Sequence, residues 1–323
     1  MVEREQALRD AEAWFLRHGL PYFVDEQRAD VKRALGRARL LPVVLVALAV
    51  GVATGVGTGI WSTDATFGAV VGLWFLGGVL AVYAATALRL RVIARWAVGR
   101  TLRSLGTMFP LVTRALPLLL LFVTFLFINT EVWMVASSLD RGVLTMAVMF
   151  FALIAVGFLL VQLPEEVDRV DDDTDPARLA ARTSGTPLAA RAADVFDEAD
   201  RATVEAVVEV RGLQKWNLIL VLLVAQALQV LLLSAAVLVF FVVFGSVVMQ
   251  PEVVASWLGA KADRVDVTGP LLKVSVFLAG FSGLYFTVYA VTDETYRSQF
   301  FTSVVRELER AVAVRAVYRT LRG

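Results

Sequence analysis

The chain has 323 residues, of which 58% are hydrophobic and 19% charged, with a mean hydropathy of +0.69. Soluble domains average about 45–50% apolar and about 25% charged residues, so this composition argues against one. A net charge of +1 argues against nucleic acid as a partner. The absence of Cys excludes disulfides and thiolate sites, and the single histidine, His18, excludes a histidine-cluster metal site.

Residues 1–39 are predicted to form amphipathic cytosolic helices. Their aromatic residues are Trp14, Phe15, Tyr22 and Phe23. These side chains would lie either on the membrane surface or against other helices. We favour packing, because aromatic stripes usually belong to a core.

The first two predicted spans cover residues 40–60 and 66–88. Small residues recur every four positions in both of them, at Gly51, Gly55, Gly59, Gly68 and Gly72. Glycines at this spacing let helix backbones approach closely, which favours packing of the two spans over a glycine-lined pore.

A basic amphipathic helix over residues 89–110 follows, and we expect it to lie in the membrane interface. Its arginines would contact anionic lipid headgroups. They are Arg89, Arg91, Arg95, Arg100 and Arg103.

The third predicted span, residues 117–138, contains Glu131. An ionisable group inside a membrane costs at least ~2.5 kcal/mol, so it needs a partner, a proton or water. Span four, residues 143–163, contains no charged residue.

Residues 164–215 form an acidic insert with 13 acidic and 7 basic residues. Asp171, Asp173 and Asp175 match the start of a calcium loop, but Pro176 and Arg182 stand where glycine and glutamate are needed. We therefore expect a solvated acidic loop and no metal site, followed by a helix that leads into the next span.

Span five begins at Trp216, and its apolar run to Met249 is too long for one straight crossing. We expect a break near Gly245 and an interfacial or re-entrant piece at 251–259, within an extracytoplasmic segment 250–268. Span six covers residues 270–292.

The C-terminal segment 293–323 is predicted to be a cytosolic amphipathic helix. Phe301, Val305, Leu308 and Val312 recur at a and d spacing. The helix would either pack on the other cytosolic segments or form a coiled coil between subunits. We expect a homo-oligomer, formed through this helix or through the glycine-rich spans.

The distribution of Lys and Arg predicts the topology. Four segments that share one side of the membrane hold 27 of these 31 residues, whereas the three opposite segments hold three. The positive-inside rule then predicts six spans with both termini in the cytoplasm.

Polar residues within spans three, five and six define a candidate lane across the bilayer. Glu131 would lie ~10 Å and Lys273 ~5 Å below the same membrane surface, so the two could come within salt-bridge range if spans three and six are neighbours. Thr124, Glu131 and Ser138 are spaced by seven and would share one face. The full set is Thr124, Asn129, Glu131, Ser138, Gln226, Gln229, Lys273, Ser275, Ser282, Tyr285 and Tyr289.

Two functions fit this set. In one, the protein is a channel or transporter for an ion or small polar solute, with Glu131 as the titrating or coordinating group. In the other, it is a non-transporting scaffold or regulatory subunit in which Glu131 belongs to a structural ion pair. We expect no enzyme and no cofactor, because no catalytic motif is present.

The run Gln226–Leu232 and the tail stretches Thr292–Arg297 and Ala313–Tyr318 resemble parts of polytopic integral membrane proteins that are common in actinobacteria. The resemblance implies a bacterial plasma membrane location and no particular activity. The predicted fold is an all-α polytopic membrane helix bundle of six transmembrane helices, with amphipathic cytosolic and interfacial helices.

Overall fold

A computed structural model describes residues 2–63, 65–168, 175–198, 201–259, 266–292 and 294–322. The described residues form α-helices, one short 3-10 helix at Pro21–Phe23, and turns, so the all-α prediction is confirmed. The α-helices are α1 Val2–Arg17, α2 Asp25–Ala34, α3 Arg37–Ser62, α4 Ala65–Ala87, α5 Leu90–Phe127, α6 Thr130–Ser138, α7 Arg141–Asp168, α8 Pro176–Arg182, α9 Ala189–Glu198, α10 Arg201–Val208, α11 Leu213–Val248, α12 Pro251–Leu258, α13 Thr268–Thr292 and α14 Glu294–Arg322.

Five of these helices, α3, α4, α7, α11 and α13, are long and apolar enough to cross a membrane. A sixth crossing is available if the bent pair Leu120–Phe127 and Thr130–Ser138, whose axes differ by 73°, counts as one broken span. The predicted all-α helix bundle is therefore confirmed, with five or six helices that could cross a membrane.

The chain divides into two compact units. The first unit contains residues 1–100, 163–224 and 302–323, and the second contains residues 101–162 and 225–301. Each unit combines segments that are far apart in the sequence.

Helix α14 forms the centre of the first unit. Its residues from Ala311 to Tyr318 are all buried, and none is more than 3% exposed. A helix that is buried on every side belongs to a core, so this stretch has no face left for a coiled coil with another subunit. Of the two predictions for the tail, packing within the chain is the one that the structure bears out.

The N-terminal aromatic residues also belong to this core. Trp14, Phe15, Tyr22 and Phe23 are each at most 6% exposed, which confirms the packing interpretation. The Phe15 ring meets the Tyr318 ring edge-on at 5.7 Å, and Asn217 ties the turn after α1 to α11. Asn217 Oδ1 accepts from the Tyr22 backbone N–H at 2.8 Å, and its Nδ2 donates to the Gly19 carbonyl at 3.1 Å.

Helices α3 and α4 pack closely through their glycines. A Cβ on Gly72 would lie 2.5 Å from the Gly51 carbonyl oxygen, and one on Gly68 would lie 2.6 Å from the Gly59 Cα. No side chain fits at such distances, so the glycines serve contact between these two helices, as predicted.

The core of the second unit surrounds Phe127 and Trp133, which are both fully buried. The Phe127 ring stacks on Phe241 of α11 at 4.7 Å and meets Trp133 edge-on at 5.6 Å. Because Gly245 has no side chain, α11 can pass close to this cluster: a Cβ there would lie 2.8 Å from the Phe127 ring and would collide with Leu271.

Two helix boundaries differ from the expected ones. The basic helix expected at 89–110 and the first half of span three form one continuous helix, α5, from Leu90 to Phe127. The break expected near Gly245 lies a few residues later: helix α11 ends at Val248, and the separate short helix α12 begins at Pro251. Residues 260–265, which include Lys261 and Arg264, lie outside the described part of the chain, as do the acidic residues at 171–173.

Candidate functional site

The region around Glu131 is a helix break. Helix α5 ends at Phe127, and Asn129 starts α6 by accepting hydrogen bonds from the backbone N–H groups of Glu131 (2.8 Å) and Val132 (3.3 Å). Asn129 is therefore an N-cap, and the Glu131 carboxylate lies in the first turn, where the helix dipole favours negative charge. The Glu131 side chain is exposed.

Trp133 stabilises the break from inside. Its indole Nε1 donates a 2.6 Å hydrogen bond to the carbonyl oxygen of Phe127, a group whose partner in a continuous helix would be the N–H four residues on. A buried carbonyl without a partner is costly, so the indole replaces the missing backbone bond. Trp133 was not among the site residues predicted from the sequence. The available signal was the helix start itself, an Asn followed by an acidic residue.

Lys273 stabilises the other end of α6. Its Nζ donates to the carbonyl oxygens of Ser137 at 2.9 Å and Leu139 at 2.7 Å. Spans three and six are therefore neighbours, as the depth argument required, but the predicted ion pair between Glu131 and Lys273 is wrong. The ammonium binds the C-terminal carbonyls of α6, where a cation is favoured by the helix dipole.

The polar stripe predicted on span three is also wrong. The 73° bend at the break places Thr124 on α5, so Thr124 no longer aligns with Glu131 and Ser138, which still share one exposed face of α6. Ser138 is exposed and its hydroxyl donates to the Val135 carbonyl at 2.7 Å.

Close contacts set the register of α11 against α13. Gly245 packs against Leu271, and Gly283 packs against the Ser234 hydroxyl. The two helices are therefore antiparallel, with Gln229 level with about Thr287. Ser275 lies about 12 residues from that level, or ~18 Å along the axis.

Three buried polar atoms in these helices have no hydrogen-bond partner within the described part of the chain. They are Gln226 Nε2, Gln229 Oε1 and Ser275 Oγ. The register separates the two glutamines from Ser275 by most of the length of a span.

The other polar side chains on α13 are used locally. The Ser282 and Thr287 hydroxyls donate to carbonyls four residues earlier on the same helix, at 2.6 and 2.8 Å. Tyr285 stacks between Phe122 and Tyr289, with ring centroids 5.6 and 6.2 Å away. These contacts join residues of one helix or adjacent rings rather than lining a common polar path.

A cavity of about 350 Å³ lies among α7, α11 and α13, and its walls are apolar. Small residues such as Ala152, Ala227 and Gly280 leave this space, and Ser234 and Thr287 are its polar contributors. An apolar cavity offers little to replace the hydration shell of an ion.

The arginines predicted to contact lipid headgroups fall into two groups. Arg89 pairs with Asp30 at 2.9 Å, and Arg100 lies 3.8 Å from Glu307, so both contribute to the first unit. Arg91, Arg95 and Arg103 are exposed on α5, and for them the lipid role stays a prediction.

Within the described residues, no group of three His, Asp or Glu side chains is placed to hold a metal ion. No protein-family model, curated protein or solved structure matches the chain. The fold and the apolar helices indicate the class: the chain is all-α, and its long apolar helices are compatible with an integral membrane protein.

Proposed function

We propose that the protein is a non-transporting scaffold or regulatory subunit of the bacterial plasma membrane. In this proposal, six spans anchor a cytoplasmic helical unit that performs recognition, and no enzymatic step is involved. The observation that carries the proposal is the use of Lys273. Lys273 binds the C-terminal carbonyls of α6 and is not part of an ionisable pair across a path.

Packing in the first unit supports the cytoplasmic topology. The N-terminal helices, the insert and α14 share one core: Tyr318 donates to Glu12 at 2.6 Å, and Arg182 pairs with Glu309 at 3.4 Å. Segments in one core must lie on one side of a membrane, which requires an even number of crossings between them.

The helix count satisfies this requirement. Helices α3 and α4, the bent pair and α7 provide four crossings before the insert, and α11 and α13 provide two after it. The Lys and Arg distribution independently favours the same arrangement, with the N-terminal helices, the insert and the C-terminal part of α14 in the cytoplasm.

Oligomerisation through the glycine-rich spans or the C-terminal helix stays a prediction. The glycines of α3 and α4 contact each other within one chain, and Ala311–Tyr318 are buried in the same chain. The remaining apolar surface of α3 and α4, including Ile60 and Leu73, is exposed and faces lipid or a second copy.

One observation favours transport as a second candidate. Gln226 and Gln229 are buried among apolar neighbours, and each has an amide atom without a partner in the described part of the chain. A water molecule or polar solute that entered between α11 and α13 would satisfy these atoms. Under this alternative, the glutamines and not Glu131 would select the solute.

Flux through proteoliposomes separates the two candidates. We would compare the wild type with Glu131→Gln and with a Gln226→Leu, Gln229→Leu double variant, over pH and with Na⁺, K⁺, Ca²⁺ and Cl⁻. The proposal predicts that the flux through all three proteins equals that of protein-free liposomes. A wild-type flux that only the double variant abolishes would establish transport, while loss in Glu131→Gln would restore the lane predicted around that residue.

Topology has its own test, because the chain contains no Cys. We would introduce single cysteines by Thr63→Cys, between α3 and α4, and by Ser184→Cys, in the insert. Intact cells carrying either variant would then be treated with a membrane-impermeant maleimide. We expect labelling at position 63 and none at position 184 until the cells are permeabilised. Labelling of both positions on intact cells would contradict the shared cytoplasmic core.

A further inference from the structure

The first unit contains a polar cavity of about 640 Å³ that is open to solvent. Its walls come from α2, α10, α11 and α14, so all three soluble segments contribute. Five arginines line it: Arg28, Arg211, Arg315, Arg319 and Arg322.

The charge of this cavity is positive. Its two carboxylates, Asp25 and Glu209, oppose five guanidinium groups. Asp25 pairs with Arg28 and, at 2.8 Å, with Arg322, and Glu209 pairs with Arg211 at 2.5 Å. Counting Glu12, which reaches Arg322 at 3.4 Å from outside the lining set, the positive excess remains.

Arg315 gives the cavity a fixed charge. Its side chain is only 3% exposed, and its Nε donates to Gln214 Oε1 at 2.9 Å. Its Nη1 donates to the Val207 carbonyl at 2.9 Å, and its guanidinium lies 5.9 Å from the centre of the Phe23 ring. These contacts hold the charge in place, because a buried guanidinium needs its donors satisfied.

Arg319 supplies a positive charge that no carboxylate in the described part of the chain neutralises. It is exposed in the last turn of α14 and forms no ion pair with any residue that the structure describes. Arg319 and the fixed Arg315 line the same cavity, so a group bound there would meet both charges. A cleft with one sign of charge concentrates ligands of the opposite sign.

We propose that this cavity binds a phosphate-bearing ligand, either a soluble phosphorylated compound or a lipid phosphate headgroup. Guanidinium groups bind phosphate oxygens through paired, charge-assisted hydrogen bonds, and the polar cavity has room for more than one phosphate. The inference goes beyond the scaffold proposal and would hold even if the spans conduct a solute. Binding therefore has to be measured separately from flux.

The test is titration calorimetry on the full-length protein in zwitterionic phosphatidylcholine nanodiscs. The probes are inorganic pyrophosphate and a short-chain phosphatidic acid below its micelle concentration. We expect at least one probe to bind, and if both bind, each should displace the other. Tighter binding of pyrophosphate would identify a soluble ligand, whereas tighter binding of phosphatidic acid would identify a headgroup.

Variants locate the site. Arg319→Glu should weaken binding about tenfold or more, the equivalent of one charge-assisted contact, and Arg28→Gln should weaken it less because Arg28 is paired with Asp25. Arg17→Glu, on the exposed part of α1, makes the same charge change away from the cavity, so it is the matched control and should change affinity less than about twofold. Arg315 is a poor choice for the test, because its buried bonds support the fold.

The proposal is overturned if neither probe binds the wild type. It is also overturned if Arg17→Glu and Arg319→Glu lose affinity equally, since that would show nonspecific attraction to a basic surface. Circular dichroism of each variant distinguishes lost binding from lost folding.

Discussion

Lys273 Nζ lies 2.7 Å from the carbonyl oxygen of Leu139, so a lysine on one span ends the helix of another. The same ammonium reaches the Ser137 carbonyl at 2.9 Å. The carbonyls at the end of a helix lack backbone partners and need others. A charge in this apolar unit is therefore part of the architecture of the break between α5 and α6.

Removing this cation should destabilise the second unit. Lys273→Met loses two charged hydrogen bonds and leaves two carbonyls unsatisfied, so the free energy of unfolding should fall by about 1.5–3 kcal/mol. The control is Lys215→Met, which removes a partly exposed ion pair with Asp168 and should cost less than about 1 kcal/mol. Detergent-phase thermal unfolding measures both, and equal shifts would refute the capping role of Lys273.

The hydrogen bond from the Trp133 indole across the break should contribute about as much to the free energy of unfolding as the Lys273 contacts. Trp133→Phe keeps an aromatic ring in the core but leaves the Phe127 carbonyl without its donor, so we expect a loss of about 1–3 kcal/mol. Trp257→Phe is the matched control, because Trp257 packs against the same cluster and its indole forms no comparable bond to the break. Chemical denaturation of both variants tests the difference, and the prediction fails if Trp257→Phe is as harmful.

The contact between α3 and α4 predicts a contrast between two glycines. Gly68→Ala would force a methyl group to within 2.6 Å of the Gly59 Cα, whereas a methyl group on Gly57 would have no neighbouring atom within 4 Å. Overpacking of this kind costs about 1–3 kcal/mol, while Gly57→Ala should be neutral or slightly stabilising. Thermal unfolding of the two variants gives the comparison, and a tolerant Gly68 would mean that the two helices are not in close contact.

Stability should also depend on His18 at acidic pH. Burial lowers the pKa of His18 from its usual value of 6.5, against the opposing effects of its hydrogen bond to the Trp14 carbonyl and the negative charge of Glu307. Because the folded state disfavours the proton, the unfolded state binds it first. Stability is then unaffected well above pH 6.5 and falls as the pH drops below that value.

The measurement is the melting temperature across this pH range for the wild type and for His18→Gln. The variant removes the titrating group but keeps polar atoms, so its melting temperature should lose part of the acid-side decline. An identical decline in both proteins would assign it to other groups.

The long helices follow from local sequence. Runs such as 40–60 and 143–163 are apolar over about 20 residues, the length that crosses a hydrocarbon core of ~30 Å, so composition alone predicts them. The glycine spacing in α3 and α4 likewise identified the contact between them, because neighbours in sequence are also neighbours in space.

The sequence contains the residues that start a new helix at the break, but it does not decide whether the chain bends there. Asn129 and Glu131 form a typical start of a helix, yet a long apolar run suggested one continuous span with a charge inside it. Whether the chain bends there depends on a donor for the Phe127 carbonyl, which Trp133 supplies only in the folded core.

The partner of Lys273 was decided by tertiary structure alone. The position of a residue along its span determines which side chains lie at the same depth. Which acceptor at that depth binds the Lys273 ammonium depends on which helix ends beside it. The burial of Arg315 follows the same logic: from sequence it is one of six basic residues in the tail, and only the packing of three distant segments around α14 places it in a core. Hydrophobic runs act locally and can be read in order, whereas the position of each charge depends on contacts between segments far apart in the chain.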